Sequence, residues 1–371
     1  MGSVEQEREY LYWLCRSLPA SAVIIRLIWE KIGSFEQAYY IEGMELLRRG
    51  IVKSRKAAEA YDRAKAGLDA ARREFGGLER QGIGFVTPLD LEYPERLRHI
   101  YDYPMGLWFK GALPSDARAT AAIIGARNCT VYGQQAAGLM GRELAAAGVQ
   151  VISGLALGVD GAGHRGALSV GGRTWGVLGC GINICYPKQN YPLFREMEEQ
   201  GGILSEYPPG ELPKPQHFPV RNRIISGLAD AVLVIEANEK SGSLITAQLG
   251  LEQGKEIFAL PGRVTDSASR GCNQLIQAGA ALLTGPGDVL EFLGIPHEKK
   301  LILHEKIVKG LAKNEKMVYS CLDSAPKHVE EIAALSGLCV SECMSALLEL
   351  ELGGLVVKTT GQYYARRMVC D

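Results

Sequence analysis

The chain predicts an α/β fold: a doubly wound parallel sheet flanked by a small N-terminal helical domain and a C-terminal winged helix. Three observations predict it. Short apolar runs closed by Gly or Ser alternate with helix-length stretches between residues 121 and 284, residues 5–76 read as helices alone, and the chain beyond 305 reads as three helices and a hairpin. With 371 residues, 47% hydrophobic and 22% charged, the composition is that of an ordinary globular protein too long for one typical core. About two or three domains are therefore expected.

In chain order, amphipathic segments at 5–17, 20–32 and 53–75, punctuated by Pro19, Gly33, Gly43 and Gly50, predict a helical domain over 1–78. Pro88, Pro94, Pro104 and Pro114, interleaved with Tyr93, Tyr101, Tyr103 and Trp108, predict an extended connecting segment at the start of a second domain, 79–295. Strands are expected at 121–124, 149–152, 174–178, 202–204, 231–235, 256–260 and 281–283. Their apolar character is continuous, which indicates burial on both faces and hence parallel pairing under helices. The segment 134–147, closed by Gly148, is a crossover helix with a glycine stop. A linker is expected over 286–300. A third domain, 305–371, follows, with helices at 308–322, 328–335 and 340–352 and hairpin strands at 355–359 and 362–365: a winged helix.

The formal net charge of -1 excludes a globally basic nucleic-acid coat, so any affinity for phosphate depends on locally concentrated Lys and Arg. The longest apolar runs are strand-sized and the first ten residues are charged. Neither a membrane span nor a secretory segment is expected, and the expected location is the cytoplasm. Nine cysteines at irregular spacing, without a Cys-x-x-Cys pair, fit reduced packing thiols. Cys339 and Cys343 stand one helical turn apart but lack the partner pair a metal site needs, so neither metal nor cofactor is expected.

In an open α/β sheet, ligands bind beyond the carboxyl ends of the strands. Those ends share one chemistry here. The first runs into Gly125, Ala126, Arg127 and Asn128, the second into Ser153-Gly154-Leu155-Ala156-Leu157-Gly158, and the third into Gly179-Cys180-Gly181 and then Tyr186-Pro187-Lys188-Gln189-Asn190. Later ends carry Ser205-Glu206, then Lys240, Ser241, Gly242, Ser243 and Thr246, and finally Pro261-Gly262-Arg263. Arg221, Asn222 and Arg223 precede the fifth strand. Glycine lets backbone N–H groups approach an anion, and each following helix start adds partial positive charge. Bases gathered in loops of a chain without net positive charge point to a phosphate-bearing ligand. Arg221 and Arg223 could instead brace Glu206 or Asp230.

Two catalytic alternatives are weighed against that. Asp160 and His164, at i and i+4 after Ser153, superficially offer a nucleophilic triad. No Gly-x-Ser-x-Gly elbow presents Ser153, however, and Asp160 is placed to cap a helix. A nucleotide-processing enzyme would use residues 241–246 for phosphate and Glu252 as its carboxylate.

The ordered motifs Gly125-Ala126-Arg127, Ser153-Gly154-Leu155-Ala156-x-Gly158-Val159-Asp160, Tyr186-Pro187, Phe218-Pro219-x-Arg221-Asn222-Arg223 and Ser241-Gly242-Ser243-Leu244-Ile245-Thr246-Ala247 closely resemble the DNA-processing protein A family, DprA/Smf. The resemblance spans about residues 85–290. It implies an extended Rossmann-like sheet that binds single-stranded DNA without catalysis, loads RecA onto incoming strands in natural transformation, displaces single-strand-binding protein and forms a homodimer. It also implies an N-terminal module like SAM or helix-hairpin-helix domains. By position in the motifs, Arg127 and Lys188 match the family's main DNA-contacting bases, with Arg221, Asn222 and Arg223 weaker carry-overs. Gly163 departs from the alanine expected before His164. The third helix of the winged helix carries Glu342, Glu349 and Glu351 and no base, so a protein-contact or accessory role is expected there rather than duplex reading.

Overall fold

The computed structural model describes residues 4–296, 311–323 and 325–367. Six helices come first: α1 (Val4–Ser17), α2 (Ala22–Ile32), α3 (Phe35–Tyr40), α4 (Gly43–Arg48), α5 (Arg55–Ala64) and α6 (Leu68–Phe75). The expected single helix over 53–75 is divided by a 3-10 turn, Lys65–Gly67. Tyr12 and Trp13 of α1 are fully buried, and Tyr12 meets Phe85 and Trp108 edge-on, with ring centroids 4.9 and 5.6 Å away. The helical unit thus packs its aromatic face against the edge of the sheet.

Among the described residues, nine strands form that sheet: β1 (Gly84–Val86), β2 (Leu107–Gly111), β3 (Thr120–Ile124), β4 (Gln150–Ser153), β5 (Thr174–Leu178), β6 (Gly202–Ser205), β7 (Ala231–Val234), β8 (Glu256–Ala259) and β9 (Ala281–Leu282). They lie in the order β1-β2-β6-β5-β4-β3-β7-β8-β9. From β6 to β9 every pairing is parallel, whereas β2 runs antiparallel to β6 and β1 to β2. Residues 79–119 are thus not only a connector. Their prolines fall outside two short strands, β1 at the edge of the sheet and β2 next to it, and Trp108 pairs with Ser205 where β2 joins β6.

Alternation along each central strand covers both faces. Ala122, Ile124, Val232 and Val234 enter one core, and Ala121, Ile123, Ala231 and Leu233 enter the other. The covering helices are α7 (Glu95–Arg98), α8 (Val131–Ala146), α9 (Val159–Leu168), α10 (Tyr191–Gln200), α11 (His217–Leu228), α12 (Gly242–Glu252), α13 (Arg270–Gln277) and α14 (Pro286–Phe292). The linker expected over 286–300 is helical at its start. Pro286 suits the first helical turn because its missing N–H would be unpaired there, and Val289 and Leu290 are buried. The expected residues 297–300 of that linker, and 308–310 of the next helix, lie outside the described residues.

The C-terminal unit contains α15 (Lys313–Cys321), α16 (Val329–Ser336) and α17 (Val340–Leu352), with β10 (Lys327–His328), β11 (Val356–Lys358) and β12 (Tyr363–Arg366) in the order β10-β12-β11. Val318, Ile332, Leu347 and Tyr364 form its core. Among the described residues no single helix is long and apolar enough to cross a membrane.

Candidate nucleic-acid interface

β3 pairs in parallel with β7 (Ala121 opposite Ala231), although β4, β5 and β6 intervene in sequence. The connections after these two strands leave in opposite directions, which opens a crevice at their carboxyl ends. It is a cleft of about 610 Å³. One wall is the loop after β3, with Gly125, Arg127 and Asn128; another is the start of α12, with Asn238, Ser241, Gly242, Ser243 and Thr246. Tyr186, Pro213, Pro215 and Phe218 form the third, and Asp160, Arg221 and Asn222 complete the lining.

The β3 loop is pinned from beneath. Ala126 N–H donates to Glu236 O at 2.8 Å, and Val159 N–H donates to Ala126 O at 3.2 Å. The buried Glu236 carboxylate accepts from the Thr130 amide at 2.8 Å and from its hydroxyl, while that hydroxyl caps α8. Gly158, at φ +75°, is required twice over: its backbone is left-handed, and a Cβ there would lie 2.4 Å from the carbonyl oxygens of both Ala126 and Arg127. The loop's anchors therefore send Arg127 outward. Its guanidinium is exposed, lies 5.3 Å from the centre of the Phe218 ring and forms no ion pair among the described residues. Opposite it, Ser241 caps the 11-residue α12, accepting from Ser243 N at 3.4 Å. The first amides of that helix face the cleft with the positive end of its dipole.

Below the surface, several residues expected at the ligand instead build the support. Ser153 is fully buried and donates to Ile123 O at 2.5 Å, locking β4 to β3. Gly154 gives room: a Cβ would stand 2.6 Å from Arg221 Nη2 and 2.8 Å from Asp160 Oδ2. Asn190 is buried and donates to Leu155 O and Ala156 O, both at 3.0 Å, so it ties two strand-end loops together. Asp160 does not cap its own helix. It accepts from Gly154 N at 3.0 Å and Ala156 N at 3.4 Å. Burial pushes its carboxyl up, against the pull of Arg221 and these amides.

Arg221 reaches the cleft from a buried position, donating to Gly154 O at 3.0 Å and to Val177 O. Burial brings its guanidinium down to about 10, with Asp160 opposing, so it stays cationic at neutral pH. Arg223 is a correction to the sequence reading. It is 4% exposed and spends its charge on Glu206 Oε1 at 2.7 Å and Asp102 Oδ2 at 2.9 Å, away from the cleft. The bracing alternative holds for Arg223 with Glu206, whereas Asp230 pairs with Arg96. Successive positions on a helix point about 100° apart, so residues 221 and 223 cannot share one ligand.

Lys188 and Lys240 are exposed beside the cleft without lining it. Arg263 lines a second cavity of about 350 Å³, together with Thr130, Tyr132, Glu236, Ala325 and Pro326. The suspected triad is not assembled: His164 bonds Thr174 Oγ1 at 2.6 Å while Ser153 is committed to Ile123. Burial pushes the His164 imidazole down to about 3. Tyr186, Phe218, Asn238 and Glu236 were missed by a reading that sought bases and glycines. The Tyr-Pro and Phe-Pro steps at 186–187 and 218–219 were the available signal.

A doubly wound α/β protein with an anion-receptive cleft at its topological switch point, joined to a winged helix, is the class these features define. The family model described as DNA recombination-mediator protein A matches residues 84–294, and that of the DprA winged helix domain matches 308–362. The chain belongs to the DprA/Smf family. It is 38% identical over 292 residues to Protein Smf of Escherichia coli, covering 77% of this chain and 78% of that one. It is 42% identical over 223 residues to the DNA processing protein DprA of Bacillus subtilis, covering 60% and 75%. Among solved structures, Streptococcus pneumoniae DprA aligns with a TM-score of 0.60 at 33% identity, covering 78% of this chain and 99% of that one. Helicobacter pylori DNA processing protein A, described for its single-stranded DNA binding mode, aligns with a TM-score of 0.51 at 30% identity, covering 57% and 95%.

Proposed function

We propose that this protein is a single-stranded DNA-binding recombination mediator that loads RecA onto incoming strands in natural transformation, and that it acts by binding rather than catalysis. The observation that carries this reading is the cleft itself. Exposed Arg127, unpaired among the described residues, faces the α12 amide end, an arrangement suited to phosphodiesters. Arg127, Asn128, Asn222, Ser241, Gly242, Ser243 and Thr246 are the proposed contacts around Gly125, with Arg221 beneath them. Lys188 and Lys240 extend the positive surface outside the cleft. The similarity to the H. pylori protein supports the choice of ligand. The proposal includes the division into units 1–78, 79–295 and 305–371, a homodimer, displacement of single-strand-binding protein and a cytoplasmic setting.

A nucleotide hydrolase is less well supported. Glu252 sits at the far end of α12, bonded by Gln248 and outside the cleft lining, and Asp160 is engaged by loop amides. The test is fluorescence anisotropy of a labelled single strand and an equal-length duplex, with wild type and the double variant Arg127→Ala/Lys188→Ala, at two salt concentrations. Salt-sensitive, strand-selective binding that the double variant loses is expected; unchanged binding by the variant would remove the site assignment. RecA filament growth on strands coated with single-strand-binding protein tests the loading step.

A further inference from the structure

The second cavity, of about 350 Å³, is where the winged helix meets the sheet domain: Thr130, Glu236 and Arg263 line it from one side, Ala325 and Pro326 from the other. Only the β3 loop separates it from the cleft. Residues 125–128 of that loop line the cleft and Thr130 lines this cavity, while Glu236 holds Ala126 by its carbonyl and Thr130 by its carboxylate. The loop after β8 adjoins the cleft as well. Gly271, at the start of α13, donates its N–H to Ala237 O at 2.8 Å, and a Cβ there would lie 2.8 Å from the carbonyl oxygen of Asn238, a cleft residue. A strand that follows the carboxyl ends outward from β3 and β7 therefore next meets Arg263, after β8. Arg263 is exposed and forms no ion pair among the described residues. Across the contact stands Asp323, between α15 and β10. Burial disfavours its carboxylate, yet Lys327, the Ala325 amide and Arg263 together hold the carboxyl below its usual range. The contact is light: Ala325, Pro326 and Arg263 all stay exposed within it. Little apolar surface is sealed, and attraction between exposed charges contributes little.

We propose that this contact is autoinhibitory: the docked winged helix sets Asp323 and the Ala325-Pro326 turn beside Arg263, where a long single strand would continue, so docking and full engagement of the strand exclude one another. This rests on the single-stranded DNA reading and adds a regulation to it. A docked carboxylate repels the backbone phosphates, and a bound strand offers Arg263 a competing anion, so each displaces the other by linkage. The affinity of the intact chain is lowered by the fraction of molecules that is docked. Such a role needs no base on the third helix of the winged helix, which carries carboxylates instead.

The test uses the full-length chain and labelled oligothymidine, measured by anisotropy, with amide hydrogen exchange followed in wild type with and without the strand. Asp323→Asn keeps the side chain's shape and its bond to the Ala325 amide. It is expected to tighten binding about threefold, the order of effect an exposed ion pair has. Glu349→Gln, a carboxylate of the same domain outside the contact, should leave affinity unchanged, and in an Arg263→Ala background Asp323→Asn should change nothing. The strand should speed exchange at residues 325–328 and slow it at 262–269. Asp323→Asn that binds no better than Glu349→Gln overturns the autoinhibition, as does a gain that persists without Arg263. Exchange at 325–328 that slows or stays the same when the strand binds overturns it too, because the winged helix would then remain docked. If neither wild type nor Asp323→Asn binds the strand, the single-stranded DNA reading itself falls, a result distinguishable from the others.

Discussion

Arg127 and Arg223 belong to neighbouring segments of the same sheet edge and have opposite fates. The first leaves β3 on a loop tied down by Glu236 and Val159, so its side chain reaches solvent with no carboxylate partner among the described residues. The second lies on α11 with its charge enclosed between Glu206 and Asp102. A basic residue near a ligand site is thus equally suited to bind or to brace, and the direction in which the backbone sends it decides which. Arg221 stands between the two, lining the cleft while bonding the floor beneath it.

Substitutions can break this contrast, and the largest effect is expected at Arg223. Removing one partner of a buried ion pair leaves the other uncompensated, so Arg223→Ala should cost about 3–5 kcal/mol of stability in urea denaturation. Single-strand affinity of the fraction that remains folded should change little. A variant of ordinary stability but poor affinity would place Arg223 at the ligand after all. Arg127→Ala should behave inversely, with unchanged denaturation and about tenfold weaker binding for all sequences alike. Its slope of log affinity against log salt should be shallower by about 0.7, the share of one lost phosphate contact on a single strand.

A pH-dependent effect is expected beneath the cleft, at His164. Its folded imidazole lies near 3, far below the ordinary 6.5 of an unfolded chain. As pH falls below about 6.5 the unfolded state takes up the proton first, and stability is lost at up to about 1.4 kcal/mol per pH unit. His164→Gln should therefore flatten the fall of melting temperature between pH 6.5 and 4; an unaltered slope would assign acid lability to other groups. The smallest effect is expected in the winged helix. The solvent side of α17 shows Val340, Leu348 and Leu352 among carboxylates, and Lys358 and Arg367 lie at the hairpin. Lys358→Ala/Arg367→Ala should change single-strand affinity by about twofold or less, and a larger loss would bring the hairpin into the DNA track.

The parallel core was legible because seven apolar runs at regular spacing admit few alternatives once both faces must be covered. The antiparallel strands β1 and β2 were not, since strands of three and five residues among prolines carry almost no periodic signal. The same division runs through the site. Glycine positions marked the loops, while the burial of Ser153, Asn190 and Arg223 depended on contacts far along the chain.

By itself, then, the sequence determined the layering, the winged helix and the edge of the sheet at which loops of one chemistry gather. These follow from local periodicity and from glycine, whose effects reach only a few residues. Tertiary structure alone decided which bases face the cleft, that Glu236 and Asn190 hold its loops, and that Tyr186 and Phe218 meet on one of its walls. Those outcomes depend on side-chain direction and on pairs separated by tens of residues, and no local pattern encodes them.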